Sequence, residues 1–454
     1  MKKNSFYLVS LGCAKNTVDS NGMAQLLEQD GLRPVSDPDQ AAFLLVNTCG
    51  FIEPAREESY AILQELAQKK KEGQFLVAAG CLTQRFGQEV VARVPGIDGL
   101  LGTRRWMDVL QVIHQLREKG SPQPLYHLPE TPVVGEDPAG AIGAHIQGSS
   151  AYLKIADGCR RPCAFCAIPG IKGTAVSRPR ERILADAAYL GSRGIKEINL
   201  IAQDTTDYGH DLGEPDSLAA LLEDITAAVP GVDWLRILYA YPGYITDRLI
   251  DVMAQKEQVL PYIDIPLQHA DPAILRAMRR PANMDWVYQT VDKLRKRMPQ
   301  LALRTTFIVG YPGETDQSFH TLLEFIKEIQ FDRVGVFKFS FEPGTDSERL
   351  GDPIPDHIKE ERQETLMIAQ QRISLSKNQA LVGESLDVLI EGKGEVEGTS
   401  ETISLGRSYR DAPEIDGMVI VEGSLPEGKI VPVRITGAMV YDLSGVPDQG
   451  QERI

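Results

Sequence analysis

Six cysteines are spread over 454 residues in two groups of three, with none left over. Cys159, Cys163 and Cys166 share one run, DGCRRPCAFCAIPG, whereas Cys13, Cys49 and Cys81 are dispersed in SLGCAKN, VNTCGF and AAGCLT. An iron–sulfur cluster ordinarily takes four cysteine thiolates. Three leave one iron open to a substrate or cofactor, as a catalytic zinc site keeps a position free. Each group could therefore hold a [4Fe-4S] cluster built for chemistry rather than scaffolding.

Plainer readings stand beside this one. Six cysteines in so long a chain do not make a disulfide scaffold. The seven histidines show neither C2H2 nor HExxH spacing, so zinc is the lesser alternative. Cys163 and Cys166 read alone would be a CxxC redox or zinc motif. The dispersed three read alone would be inert buried thiols.

The surrounding elements decide between these readings. SFYLVSLG, AAFLLVNT and QFLVAAG are short apolar runs that end at Cys13, Cys49 and Cys81. They predict buried parallel strands. The stretches between them have helical periodicity, with Gly31 and Gly73 as stops. Strand–helix–strand repeats make a parallel α/β domain, whose strands all point one way. The three dispersed cysteines are then expected on one rim, where open α/β sheets bind ligands.

A multidomain α/β chain is predicted. Residues 5–118 form the N-terminal α/β domain, 119–144 a Pro- and Gly-rich linker, 145–376 a second α/β unit with a connecting helix, and 378–446 a small β domain. The second unit offers six strand–helix repeats. These are too few for a closed eightfold barrel and suit a partial (β/α)6 barrel with its active face at the strand carboxyl ends. Asp157, Gln203, Asp204, Gln268, His269 and Glu314 collect at those ends. Gly310 and Gly313 are read either as part of a loosely matched ligand-binding pattern or as serving a turn with Pro312.

Net charge is −15, which opposes a strongly nucleic-acid-binding surface. Between 378 and 443, twelve carboxylates face five cations, a net of −7. Such a surface repels phosphate and attracts a basic protein. Direct nucleic acid binding is therefore not expected. No apolar run reaches 18 residues, so no membrane partner is expected. The opening MKKNSFYLVSLGC lacks a cleavage site, which makes the cytoplasm the expected location.

Cys159-x-x-x-Cys163-x-x-Cys166, with Phe165 at the aromatic position, resembles the signature of radical S-adenosylmethionine (SAM) enzymes. The resemblance implies a cluster whose open iron binds SAM and whose electron cleaves it to methionine and a 5′-deoxyadenosyl radical. SLGCAKN, VNTCGF and AAGCLTQR resemble the N-terminal domain of methylthiotransferases. There Cys13, Cys49 and Cys81 would hold a second cluster that delivers sulfur. The whole chain then resembles that family, ending in a TRAM-like β domain.

LIAQDTTDYGHDLG and GRSYRDAPEIDGMV are similar to the branch that methylthiolates an aspartate of a small-subunit ribosomal protein. The tRNA adenosine methylthiotransferase branch typically reads GQNVNSY at the first position and is the alternative. Two departures from radical SAM patterns stand out: AQD replaces GGE, and Glu314 falls one residue late in GxIxGxxE. Arg160, Arg161, Lys172, Arg178 and Arg180 are candidates to meet a substrate or SAM carboxylate. The electron donor is not identified by the sequence.

Overall fold

A computed structural model describes residues 4–119, 123–131, 140–214, 216–395 and 402–448. The N-terminal sheet contains β1 (Ser5–Ser10), β2 (Arg33–Pro34), β3 (Phe43–Thr48), β4 (Phe75–Gly80), β5 (Gly99–Gly102) and β6 (Leu125–His127). Their order is β2-β1-β3-β4-β5-β6, and every pairing is parallel. Strand β3 shows why: all six of its residues are buried. Phe43 and Leu45 pack with Leu26 and Leu27 on one face, while Leu44 and Val46 pack with Tyr60 and Leu63 on the other. Alternation with period two thus feeds two helical layers. The segment after the last N-terminal helix supplies β6 as the edge strand.

The central unit contains β7 (Ala144–Gln147), β8 (Ser150–Lys154), β9 (Ala156–Asp157), β10 (Val176–Ser177), β11 (Glu197–Ile201), β12 (Trp234–Ile237), β13 (Val259–Asp264), β14 (Ala302–Val309) and β15 (Arg333–Lys338). Its main sheet runs β15-β14-β13-β12-β11-β8-β7. Six strands are parallel, and β7 closes on β8 as an antiparallel hairpin. The six-repeat open sheet expected from the sequence is what forms. Strands β9 and β10 pair as a separate ribbon, and the segment between them carries Cys159, Cys163 and Cys166.

Helix Asp356–Gln379 leads to the last domain. There β16 (Ser385–Glu395), β17 (Thr402–Ser408), β18 (Val419–Glu422), β19 (Ile430–Ala438) and β20 (Leu443–Pro447) close into a barrel in the order β16-β17-β18-β20-β19. The central sheet meets both neighbours through one apolar cluster. Val18 of the N-terminal domain, Tyr152, Trp234 and Tyr262 of the sheet, and Leu389 and Ala412 of the barrel all belong to it. Among the described residues, no helix is long and apolar enough to cross a membrane.

Candidate active site

Cys13 follows β1 as the N-cap of helix Ala14–Gln29, Cys49 follows β3 directly, and Cys81 follows β4 as the first residue of helix Cys81–Arg93. Parallel pairing sets all three on the same rim. Two glycines let the loops nest. A Cβ on Gly12 would lie 2.8 Å from Cys49 Cβ, and one on Gly50 would lie 2.6 Å from the Leu82 backbone. Neither space admits a side chain. Asn16 ties the rim together: Nδ2 donates to the carbonyls of Leu11 and Thr48, both at 3.0 Å, and Oδ1 accepts from Cys81 Sγ at 3.8 Å.

The local loop is held by its backbone. Cys159 N donates to Gly173 O (3.0 Å), Ala164 N to Met278 O (2.9 Å) and Ser347 N to Ala164 O (2.8 Å). Phe165 packs beside Ile274, Met278, Tyr311 and Phe339. Arg280 Nη1 lies 3.5 Å from Cys163 Sγ, and Tyr241 Oη 3.9 Å from the same sulfur.

Both thiol groups open on one cavity of about 480 Å³. Its lining includes all six cysteines, the cations Lys15, Arg161, Lys172 and Arg280 and, among the described residues, no carboxylate. Burial pushes the Cys81 and Cys166 thiols up to about 12 and the Cys159 thiol to about 11. A cubane takes one cysteine per iron, so the thiols have to surround a space rather than meet at a point. Six soft donors around a cavity free of carboxylates fit two such clusters, and binding them would displace thiol protons.

The sequence-selected polar residues divide sharply. Gln203 and Gln268 line the cavity, each with a buried Oε1 that has no protein partner among the described residues. Gln268 adopts φ 75°, a left-handed backbone that costs energy for a residue other than glycine. His269 and Glu314 are fully buried away from that lining. They bond each other at 3.0 Å, and Glu314 also meets Arg362 at 2.7 Å. They tie the loops after β13 and β14 to helix Asp356–Gln379 and do not line the thiol cavity.

The five basic candidates are all neutralised. Arg160 pairs with Asp207 (2.6 Å), and Arg161 with Asp204 (2.6 Å) and Asp207 (3.2 Å). Arg178 pairs with Asp186 at 2.7 Å, and Arg180 with Asp224. Lys172 and Lys154 share Asp157 and Asp19 in a buried quartet that crosses from the central unit to the N-terminal domain. Candidates drawn from the sequence around Cys159–Cys166 missed Lys15, beside Cys13, and Arg280, because nothing in the sequence shows which cations lack a carboxylate in space.

A second contact between the domains holds the Cys49 loop. Arg85 Nη1 donates to Gly50 O (2.9 Å), Phe51 O (3.1 Å) and Glu342 Oε2 (2.9 Å). Glu342 also receives Arg56 and the Glu53 amide.

Family models match three segments: Uncharacterized protein family UPF0004 over residues 5–102, the Radical SAM superfamily over 153–326 and a TRAM domain over 382–447. A relative from Chloroflexus aurantiacus, named ribosomal protein uS12 methylthiotransferase RimO, is 46% identical and the match covers 97% of this chain and 99% of its own. Relatives of the same name from Roseiflexus sp. and Anaeromyxobacter sp. are 44% and 42% identical, with 97% of this chain covered by each and 96% and 92% of theirs. Among solved structures, the radical SAM methyltransferase TsrM from Kitasatospora setae, with cobalamin and a [4Fe-4S] cluster bound, matches with TM-score 0.56. Identity there is 13%, over 85% of this chain and 81% of that one, so the likeness is one of fold.

Proposed function

The chain belongs to the ribosomal protein uS12 methylthiotransferase family, and on that premise we propose that it replaces a C–H bond at the β-carbon of a uS12 aspartate by C–S–CH3. It is a radical SAM enzyme that uses two [4Fe-4S] clusters and SAM. When bound, these groups supply the electron that cleaves one SAM, the sulfur to be inserted and, from a second SAM, the methyl group.

In this reading Cys159, Cys163 and Cys166 hold the SAM-cleaving cluster, and Cys13, Cys49 and Cys81 hold the sulfur-delivering one. The division of labour follows the domains, with the first cluster on residues 145–376 and the second on residues 5–118. The observation that carries the proposal is the shared cavity: thiols from two folding units line one space with four cations and, among the described residues, no carboxylate. The chain's own residues orient the two thiol groups there and offer positive charge to anionic reactants.

The barrel supports a protein partner over RNA. Asp411 and Asp416 are spent on core cations, as Arg407 and Arg410 are on core acids. The excess of seven carboxylates in the 378–443 segment is therefore unaltered. A basic ribosomal protein, free or within the small subunit, is attracted by it, and the site of action is the cytoplasm.

The test is to incubate the anaerobically reconstituted protein with uS12, with intact small subunits and with tRNA. Mass spectrometry should find a methylthio group on a uS12 aspartate. A methylthio group found only on tRNA adenosine would replace this reading with the nucleic acid one.

A further inference from the structure

Of the four cations lining the cavity, two are already neutralised by carboxylates. Arg161 has Asp204 and Asp207, and Lys172 has Asp157 and Asp19. Lys15 and Arg280 have no carboxylate partner among the described residues, although each is only 8% exposed. Neither charge is closed off by a carboxylate, so an anion that arrives from outside can pair with it.

The proposed reaction brings two carboxylates, that of the SAM methionyl group and that of the substrate aspartate. Position separates them. Arg280 stands 3.5 Å from Cys163 Sγ and stacks on Tyr241 at 4.2 Å. It belongs to the SAM-cleaving side. Lys15 is two residues past Cys13, on the sulfur-delivering side, with Nζ 3.5 Å from the centroid of the Tyr239 ring. That ring satisfies the ammonium only in part. Its backbone is held in the left-handed region, at φ 63°, with the Tyr239 amide donating to Asp264 Oδ2 at 3.3 Å.

Chemistry makes the choice. The carbon that receives sulfur is bonded directly to the aspartate carboxylate carbon. Sulfur delivered from the Cys13 side brings that carbon, and with it the carboxylate one bond away, within reach of a cation beside Cys13. We propose that Lys15 binds the side-chain carboxylate of the substrate aspartate and so selects an acidic residue over a neutral one. The proposal rests on the aspartate-modifying function above.

Binding rather than turnover is the test. Reconstituted protein is titrated with uS12 carrying either the target aspartate or asparagine in its place. The wild type is expected to prefer the aspartate form by roughly tenfold or more, the loss set by one charged hydrogen bond. Lys15→Met should abolish the preference, and Lys15→Arg should keep most of it. The preference is a ratio within one preparation, so incomplete cluster loading cancels. Lys15→Gln gives the same readout should the Met variant fail to fold. An unchanged ratio in Lys15→Met or Lys15→Gln, or a wild type indifferent to the exchange, overturns the proposal. Wild-type protein that never methylthiolates uS12 defeats the functional reading instead, which keeps the two failures distinct.

Discussion

The two thiol groups can be separated by single substitutions, because each belongs to its own folding unit. Cys159→Ala should abolish SAM cleavage. Cys81→Ala should lower sulfur insertion roughly 100-fold or more while 5′-deoxyadenosine still forms. Chromatographic assay of 5′-deoxyadenosine beside mass spectrometry of uS12 distinguishes the two, and equal loss of both products in both variants would count against separate roles. At this scale the convergence of the dispersed cysteines on one rim was legible from the short apolar runs that end at them. The cations were not. Arg161 and Lys172 stand beside the motif in sequence, yet their charges are consumed by Asp204 and by Asp19. Lys172 and Asp19 lie 153 positions apart. Pairings of that reach have no local signal.

The strands and loops turn a dispersed set of thiols into a site. Strands β1, β3 and β4 were readable because each is a short apolar run closed by a cysteine, and parallel pairing does the rest. The short strands β2, β5 and β6 were not readable: two to four residues leave too little pattern. Nesting of the cysteine loops depends on Gly50, where a side chain would meet the Leu82 backbone. Gly50→Ala should therefore cost about 1–3 kcal/mol by forced displacement. Thermal denaturation measures it, and the same variant should retain less iron at the Cys13, Cys49 and Cys81 group. A variant as stable and as iron-rich as wild type would refute the nesting. Glu342→Gln should likewise weaken the Cys49 loop, since it leaves Arg56 and Arg85 without their shared anion. Removing one partner of a buried pair costs roughly 3–5 kcal/mol, read as a lowered melting temperature.

For the molecule as a whole, the barrel is fastened to the central sheet by charge. Arg407 bonds Glu197 at 2.5 Å and Glu391 at 2.6 Å, while Arg236 meets Glu197 at 2.8 Å. The GRSYRDAPEIDG stretch, read from sequence only as a mark of the family branch, is this fastening. Burial disfavours the Glu197 charge, but Arg407 and Arg236 outweigh it and hold the carboxyl down to about 2 from the usual 4.5. A lowered carboxyl stabilises the fold above its unfolded value and loses that contribution as pH falls. Melting temperature should therefore drop between about pH 4.5 and pH 2. Arg407→Ala should lower it already at neutral pH and flatten the slope across that window. An identical acid profile in wild type and variant would show that this pair does not govern the docking.

The N-terminal and central domains together leave one cavity shared by both thiol groups, and the cluster count tests that arrangement most directly. Iron and acid-labile sulfide should each approach about eight per chain after anaerobic reconstitution, the content of two cubanes. A ceiling of about four, with the Cys13, Cys49 and Cys81 group left alkylatable, would contradict it.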